Sequence, residues 1–208
     1  MPKRIPLSEA GAARTKDDIR PEALLEQAGY LTIRAVTADG SALIGYPNKE
    51  VSISMAELYA GELLRGKPLE GPEEPMLSET LRDGAVEEVI ERFNKAVNAI
   101  DYVRFPIRDE SSCRAYLQVL LIGAAMLPKV ETHTALGRSD LEVESGSRHW
   151  VFEFKYSQNG EDAGKLLEEA ANQIRSRRYC EAPHGKELIR VALVFDGRRR
   201  QFARWARL

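Results

Sequence analysis

Cysteine and histidine are both scarce in this chain. Its 208 residues contain two cysteines, Cys113 and Cys180, and three histidines. Two cysteines are too few for a disulfide scaffold, and neither has the spacing of a metal ligand. His133, His149 and His184 are scattered along the sequence, whereas a zinc site needs clustered ligands. The sequence therefore argues against a disulfide-rich or a zinc-binding protein.

Long apolar runs are also missing. The longest, residues 119–127, is far shorter than a membrane span. Residues 1–18 lack the apolar segment of a secretory signal, so we expect a cytoplasmic protein without a membrane partner. The phosphate-binding pattern Gly-x-x-x-x-Gly-Lys-Ser/Thr is absent, so we expect no NTP hydrolysis from this chain.

Charge of one sign does not dominate, because the formal net charge is −2. The C-terminal segment is different: residues 175–208 hold ten Lys or Arg against three Asp or Glu. Such a segment can form a local patch for a polyanion, or its arginines can simply solvate exposed faces. The candidate nucleic-acid contacts in this segment are Arg175, Arg178, Arg198, Arg199 and Arg200.

Proline and glycine divide the chain. Residues 1–21 are polar and contain three prolines, which predicts a poorly ordered arm. Residues 22–66 read as helix, hairpin and helix, a small N-terminal α+β appendage. Residues 67–75 are a linker by composition, and residues 76–208 form the main domain.

The main domain combines helical and strand patterns. A helical face starts at Ser78 and runs to Ile100, and a second helix is predicted to end before Pro128. Three strands, a long helix, a buried strand and an edge strand follow, at about residues 129–134, 139–144, 149–156, 162–179, 188–195 and 201–206. This order predicts an α/β fold in which helices flank a mixed sheet.

The chemistry concentrates in the second and third of these strands. A Gly146-Ser147 hairpin loop would pair the two strands so that Asp140 lies opposite Glu153, with Cβ atoms about 5 Å apart. Lys155 lies two residues further on, on the same face. Two facing carboxylates repel each other unless a divalent cation binds them, so Asp140→Asn is expected to stabilise the metal-free protein slightly.

The same pattern has a simpler interpretation, since acids and bases alternate on many solvated strand faces as cross-strand ion partners. The aspartate across the turn, the aromatic residues beside Glu153 and the helix that follows favour the catalytic interpretation. Trp150 and Phe152, which flank the motif, are expected to be core residues and not platforms for base stacking.

The segment Gly137-Arg138-x-Asp140, followed after twelve residues by Glu153-Phe154-Lys155, resembles the core motif of the PD-(D/E)xK nuclease superfamily. The resemblance extends to Glu131 before the motif, and to Gln173-Ile174 and Tyr179 after it. Residues 23–33 and 45–51 resemble the end of the AAA-type ATPase-like domain that precedes the nuclease-like domain in one bacterial branch.

The resemblance implies a restriction-endonuclease-like fold and metal-dependent hydrolysis of nucleic-acid phosphodiesters, DNA more than RNA. Asp140, Glu153 and the backbone carbonyl of Phe154 would hold Mg²⁺ or Mn²⁺, and Lys155 would act on the attacking water. Gln173 would orient that water or a phosphate, and its alternative is a helix-surface glutamine.

The resemblance also implies further residues and partners. Arg138 would contact phosphate or cap a strand, and Glu131 and Tyr179 match the family pattern. The family often has a helix glutamate shortly before a tyrosine; here Cys113 lies near that position before Tyr116, and Glu110 is three residues earlier. A AAA-type ATPase domain or a second copy of the chain are the expected protein partners.

Two other functions fit the same residues. One is a catalytically inactive nuclease-like module that binds DNA or protein, and the other is a regulatory partner of a separate ATPase. The intact Asp140, Glu153 and Lys155 argue for the enzyme.

Overall fold

The computed structural model describes residues 3–6, 21–68, 71–134, 137–158, 161–176 and 185–208. The side chains of residues 131–139 are not part of that description. The chain divides into two compact units, Met1–Met55 and Ala56–Leu208. Tyr179 and Arg178, two of the predicted site residues, lie outside the described residues, as does Cys180.

The first unit is a three-stranded antiparallel sheet with a helix. Its elements are β1 (Lys3–Pro6), α1 (Pro21–Gln27), β2 (Thr32–Val36) and β3 (Ser41–Gly45), in the sheet order β1-β3-β2. The helix and the hairpin agree with the sequence prediction. Residues 3–6 differ from the prediction of a poorly ordered arm. They pair with β3 and bury Ile5 against Ala42 and Ile44.

The helix α2 (Lys49–Leu63) crosses the division between the units. At its end Leu63 and Leu64 are buried in the main core, and the N–H of Asp101 donates to the carbonyl of Leu63 at 2.7 Å. The division between the two units thus falls inside this helix, before the predicted linker at 67–75. Composition points to a linker there, but buried leucines tie the preceding turn to the larger unit.

Two helices replace the single helix predicted from Ser78 to Ile100. They are α3 (Leu77–Asp83) and α4 (Val86–Ala99). The break is at Gly84, whose backbone is extended, and the N–H of Ala85 then donates to the Glu88 carboxylate at 2.9 Å. The apolar spacing runs through both helices, so periodicity alone could not show the break.

Gly84→Ala is expected to destabilise the protein by about 1–3 kcal/mol, because the added methyl group has no room. Its Cβ would lie 2.6 Å from the carbonyl oxygen of Thr80, which is backbone and cannot move aside easily. Gly61→Ala is the matched control. It lies within α2 with nothing within 4 Å of the added Cβ, and should stabilise the protein by about 0.5–1 kcal/mol. Urea unfolding of both variants tests this, and equal effects of the same sign would contradict it.

A five-stranded mixed sheet forms the centre of the larger unit, as predicted. Helix α5 (Glu110–Gly123) precedes it, and ends earlier than expected because Ala125 adopts a positive φ of 58°. The elements that follow are β4 (Lys129–Thr134), β5 (Gly137–Ser145), β6 (Arg148–Ser157), α6 (Ala163–Ser176), β7 (Glu187–Asp196) and β8 (Gln201–Arg207). The sheet order is β4-β5-β6-β7-β8, with α6 between β6 and β7 in the chain. Among the described residues, β6 and β7 pair in parallel and the other neighbouring strands pair antiparallel.

Helices cover both faces of this sheet. On one face the predicted core residues Trp150 and Phe152 are fully buried, and the Trp150 indole donates to the carbonyl of Leu81 at 2.8 Å. On the other, α6 buries Ala170 and its neighbours against Val151. Among the helices of the described residues, none has the length and apolar character to cross a bilayer.

Candidate active site

The hairpin of β5 and β6 has the predicted register. Five pairs are formed, from Ser145 with Arg148 to Leu141 with Phe152. Gly146 supplies the positive φ of 56° that the tight turn needs. The next pair in this register would be Asp140 with Glu153, and there the ladder between the two strands ends.

Asp140 takes the place of the missing ladder bond. Its Oδ2 accepts the backbone N–H of Phe154 at 3.0 Å, while β5 continues to pair with β4. The N–H and C=O of a strand residue point to the same neighbouring strand. The carbonyl of Phe154 therefore faces the same opening between β5 and β6 as the Asp140 carboxylate.

An open cleft of about 530 Å³ lies beside this opening. Its lining residues come from the start of α5 and from the strand ends: Arg108, Asp109, Glu110, Ser111, Arg114, Asp140, Tyr156, Gln158 and Glu161. Asp109 caps α5 by accepting the N–H of Ser112 at 2.7 Å, and this hydrogen bond is the main cause of the lowered pKa of Asp109. The cap fixes the first turn of α5, which carries Glu110.

Two ion pairs bring cations to the cleft's carboxylates. Arg114 Nη1 lies 3.5 Å from Asp140 Oδ1, with both side chains at most 14% exposed. Lys155 Nζ lies 3.6 Å from Glu110 Oε1.

Burial raises the pKa of the Cys113 thiol, and the charges of Glu110, Asp109 and Asp140 raise it further. Several carboxylates therefore surround one buried thiol at the start of α5.

Glu153 is fully buried next to α6. Its Oε1 accepts a hydrogen bond from the side-chain amide of Gln173. The described lining of the cleft includes Asp140 but not Glu153. Asp140 nevertheless lies against the Glu153 segment, since its Oδ2 accepts the N–H of Phe154. That the two carboxylates share one ion stays a prediction. Gln173 contacts the predicted metal ligand.

The arginine turn, which we define as residues 197–200 between β7 and β8, adjoins the cleft. Gly197 lies against Tyr156, which lines the cleft, because a Cβ added to Gly197 would clash with the Tyr156 hydroxyl. The backbone N–H groups of Arg198 and Arg199 donate to Asp196 Oδ1 at 2.9 and 3.0 Å. The Arg200 guanidinium lies 4.1 Å from the centre of the Tyr102 ring.

The other residues predicted from the sequence lie on α6, on β4 and β5, and at the start of α5. Arg175 is exposed on α6 and donates to the Asn172 side chain at 3.2 Å. Glu131 and Arg138 lie on β4 and β5, and their side chains are not described. Glu110, considered from the sequence as a replacement for the usual helix glutamate, contacts Lys155 and lines the cleft.

Sequence reasoning missed Arg114. The available signal was its spacing, because residues four apart on a helix share one face, and Arg114 follows Glu110 by four. Arg108 was missed as well; it lies just before the helix cap and lines the same cleft. Neither position is distinctive without knowing which face of α5 meets β5.

The oxygen donors at this opening suit a hard divalent cation. They comprise the carboxylate of Asp140 and the carbonyl of Phe154, and the Glu110 carboxylate lines the same cleft. Within the described ranges, no group of three or more His, Cys, Asp or Glu side chains converges as a metal cage would. Mg²⁺ does not need one, since it commonly binds one or two carboxylates together with substrate phosphate and water. The donor set therefore fits the ion that the motif implies.

A model of the PD-(D/E)XK nuclease superfamily matches residues 113–205. The matched segment includes Asp140, Glu153, Lys155 and Gln173. No curated protein matches the chain.

Proposed function

We propose that this protein hydrolyses phosphodiester bonds of nucleic acid with a bound Mg²⁺ or Mn²⁺, and the match of residues 113–205 to a model of the PD-(D/E)XK nuclease superfamily supports this. The observation that carries the proposal is the geometry at the split between β5 and β6. There the Asp140 carboxylate lies on the backbone of the Glu153-Phe154-Lys155 segment, next to an open cleft.

When bound, the divalent ion would supply a Lewis acid and lower the pKa of a water molecule. Asp140 and the Phe154 carbonyl would hold it on the cleft side, with Glu153 as the buried ligand. Gln173 orients the Glu153 carboxylate through its amide hydrogen bond. Such a fixed orientation keeps a ligand in its binding geometry.

Lys155 supplies the positive charge for the reaction. The Glu110 carboxylate holds its ammonium group at the cleft, where it can stabilise negative charge that develops on the phosphate. The Lys155 side chain is 17% exposed, so water screens this charge less than it screens a surface lysine.

Nucleic acid is the proposed substrate, and the family resemblance favours DNA over RNA. The arginine turn supports a polyanion at this position, because it lies beside cleft residue Tyr156 and carries three successive arginines. A AAA-type ATPase domain or a second copy of the chain are further proposals. They follow from the resemblance of residues 23–33 and 45–51 alone.

An inactive module that binds nucleic acid or protein is the second candidate. The observation in its favour is that Glu153 is fully buried and hydrogen-bonded to Gln173, and does not line the cleft. The two functions differ in turnover and not in binding.

The test is cleavage of plasmid DNA, single-stranded DNA and RNA with Mg²⁺ or Mn²⁺, each compared with a chelator. We expect metal-dependent cleavage, fastest on DNA. Binding without cleavage of any of these substrates would replace the enzyme by the inactive module.

The arginine turn gives a separate prediction. Replacing Arg198 and Arg199 together by Gln should weaken DNA binding uniformly across sequences. It should also make the binding constant depend less steeply on salt concentration, by an amount that corresponds to roughly two phosphate contacts. Arg207→Gln is the control, because Arg207 ends β8 at the far end from the turn and pairs with Glu187 at 2.8 Å. Fluorescence titrations at several salt concentrations measure both, and an unchanged slope in the double variant would remove the turn from the binding surface.

A further inference from the structure

Both oxygens of the Asp140 carboxylate already have partners. The backbone N–H of Phe154 donates to Oδ2 at 3.0 Å, and Arg114 lies 3.5 Å from Oδ1. The Arg114 and Asp140 side chains are 14% and 13% exposed, so their attraction is stronger than that of a solvated surface pair. The Asp140 carboxylate, which would bind the metal ion, is thus already paired with the Arg114 guanidinium.

A divalent ion at Asp140 competes with this contact. The guanidinium would lie close to the ion, and like charges at a short distance repel strongly in a partly buried site. This repulsion favours the departure of Arg114 from Oδ1 when the ion binds. The Arg114 side chain starts in α5 and lines the cleft, so a substrate phosphate bound in the cleft would offer it a second partner.

We propose that Arg114 is a positioning residue that exchanges partners: it holds Asp140 in the metal-free cleft and moves to a substrate phosphate when a divalent cation binds Asp140. The inference rests on the proposed metal-dependent nuclease function and adds a residue to it. A guanidinium suits both partners, because its planar fork matches carboxylate and phosphate oxygens alike.

The exchange couples the two ligands. Nucleic acid that draws Arg114 onto a phosphate frees Asp140 and tightens metal binding, and metal that displaces Arg114 tightens phosphate binding. By linkage, the factor must be the same in both directions. A cleft built in this way binds metal weakly until the substrate arrives.

The test measures Mn²⁺ affinity by isothermal titration calorimetry, without any turnover. Arg114→Gln removes the competing charge and should bind Mn²⁺ about tenfold more tightly than the wild type. Arg114→Lys keeps the charge and should stay near the wild-type affinity. Arg108→Gln is the matched control, since Arg108 lines the same cleft, whereas the described contacts of the Asp140 carboxylate are with Arg114 and Phe154. This variant should leave Mn²⁺ affinity almost unchanged.

A second titration measures the coupling. A non-cleavable phosphorothioate oligonucleotide should increase the Mn²⁺ affinity of the wild type and have much less effect on Arg114→Gln. Thermal melts of each variant show whether the fold is retained.

The possible results separate the two proposals. If the wild type binds no Mn²⁺, the metal site of the proposed function fails and the exchange fails with it. If the wild type binds Mn²⁺ and Arg114→Gln binds it equally tightly, the metal site stands and the role of Arg114 is overturned. Equal tightening in Arg114→Gln and Arg108→Gln would also overturn it, because the effect would then be the general charge of the cleft.

Discussion

Lys155→Ala is expected to lower the single-turnover cleavage rate about a hundredfold while DNA affinity changes little. Binding draws on many phosphate contacts, of which Lys155 provides at most one. The reaction depends on a charge fixed beside the reacting atoms, and stabilisation confined to the transition state changes turnover more than affinity. The fold should survive, because the partner that loses its cation, Glu110, is 44% exposed and can be solvated.

Lys165→Ala is the charge-matched control, because Lys165 is exposed on α6. Single-turnover cleavage and a binding titration at one fixed salt concentration are measured for both variants. A Lys155→Ala protein that cleaves at the wild-type rate would keep the enzyme but discard this mechanism. Equal losses of affinity and rate would mean that Lys155 serves binding alone.

Asp140→Asn is expected to abolish the rise in melting temperature that Mg²⁺ causes in the wild type, because a ligand stabilises only the state that binds it. In the metal-free protein the same change should cost about 1 kcal/mol. The asparagine oxygen can still accept the Phe154 N–H, but the attraction to Arg114 is lost. This reverses the sign expected from the sequence, which anticipated relief of repulsion.

Glu161→Gln is the control for Asp140→Asn, since Glu161 lines the same cleft and contacts the N–H of Gln158 at 3.4 Å. Thermal melts are recorded with and without Mg²⁺ for the wild type and both variants. An Asp140→Asn protein that Mg²⁺ stabilises as much as the wild type would show that Asp140 binds no metal.

Local patterns were sufficient to predict the hairpin that carries Asp140 and Lys155. Side chains alternate along a strand, and Gly146 marks the turn, so the register follows from the sequence. The same reasoning extended the ladder one pair too far, to Asp140 and Glu153. Where a ladder ends depends on what packs beside it, which strand periodicity does not encode.

The environment of the two carboxylates depends on residues distant in the sequence. Arg114 reaches Asp140 from 26 residues upstream, and Gln173 reaches Glu153 from 20 residues downstream. A hairpin considered alone contains two repelling charges, whereas the folded protein gives each a partner from a different helix. The packing of α5 and α6 is therefore what the sequence analysis lacked.

The helical regions show the same limit. The apolar spacing identified the buried face of α3 and α4, including Leu81 and Phe93. It missed the break at Gly84, because a glycine in a helical pattern is compatible with either a continuous helix or a break.

The most direct test of the central claim, that this cleft holds the catalytic metal, is anomalous scattering from crystals grown with Mn²⁺. We expect a peak next to the Asp140 carboxylate and the Phe154 carbonyl, with Arg114 moved away from Asp140. A Mn²⁺ peak elsewhere, or none at this position in a protein that cleaves DNA with Mn²⁺, would contradict it.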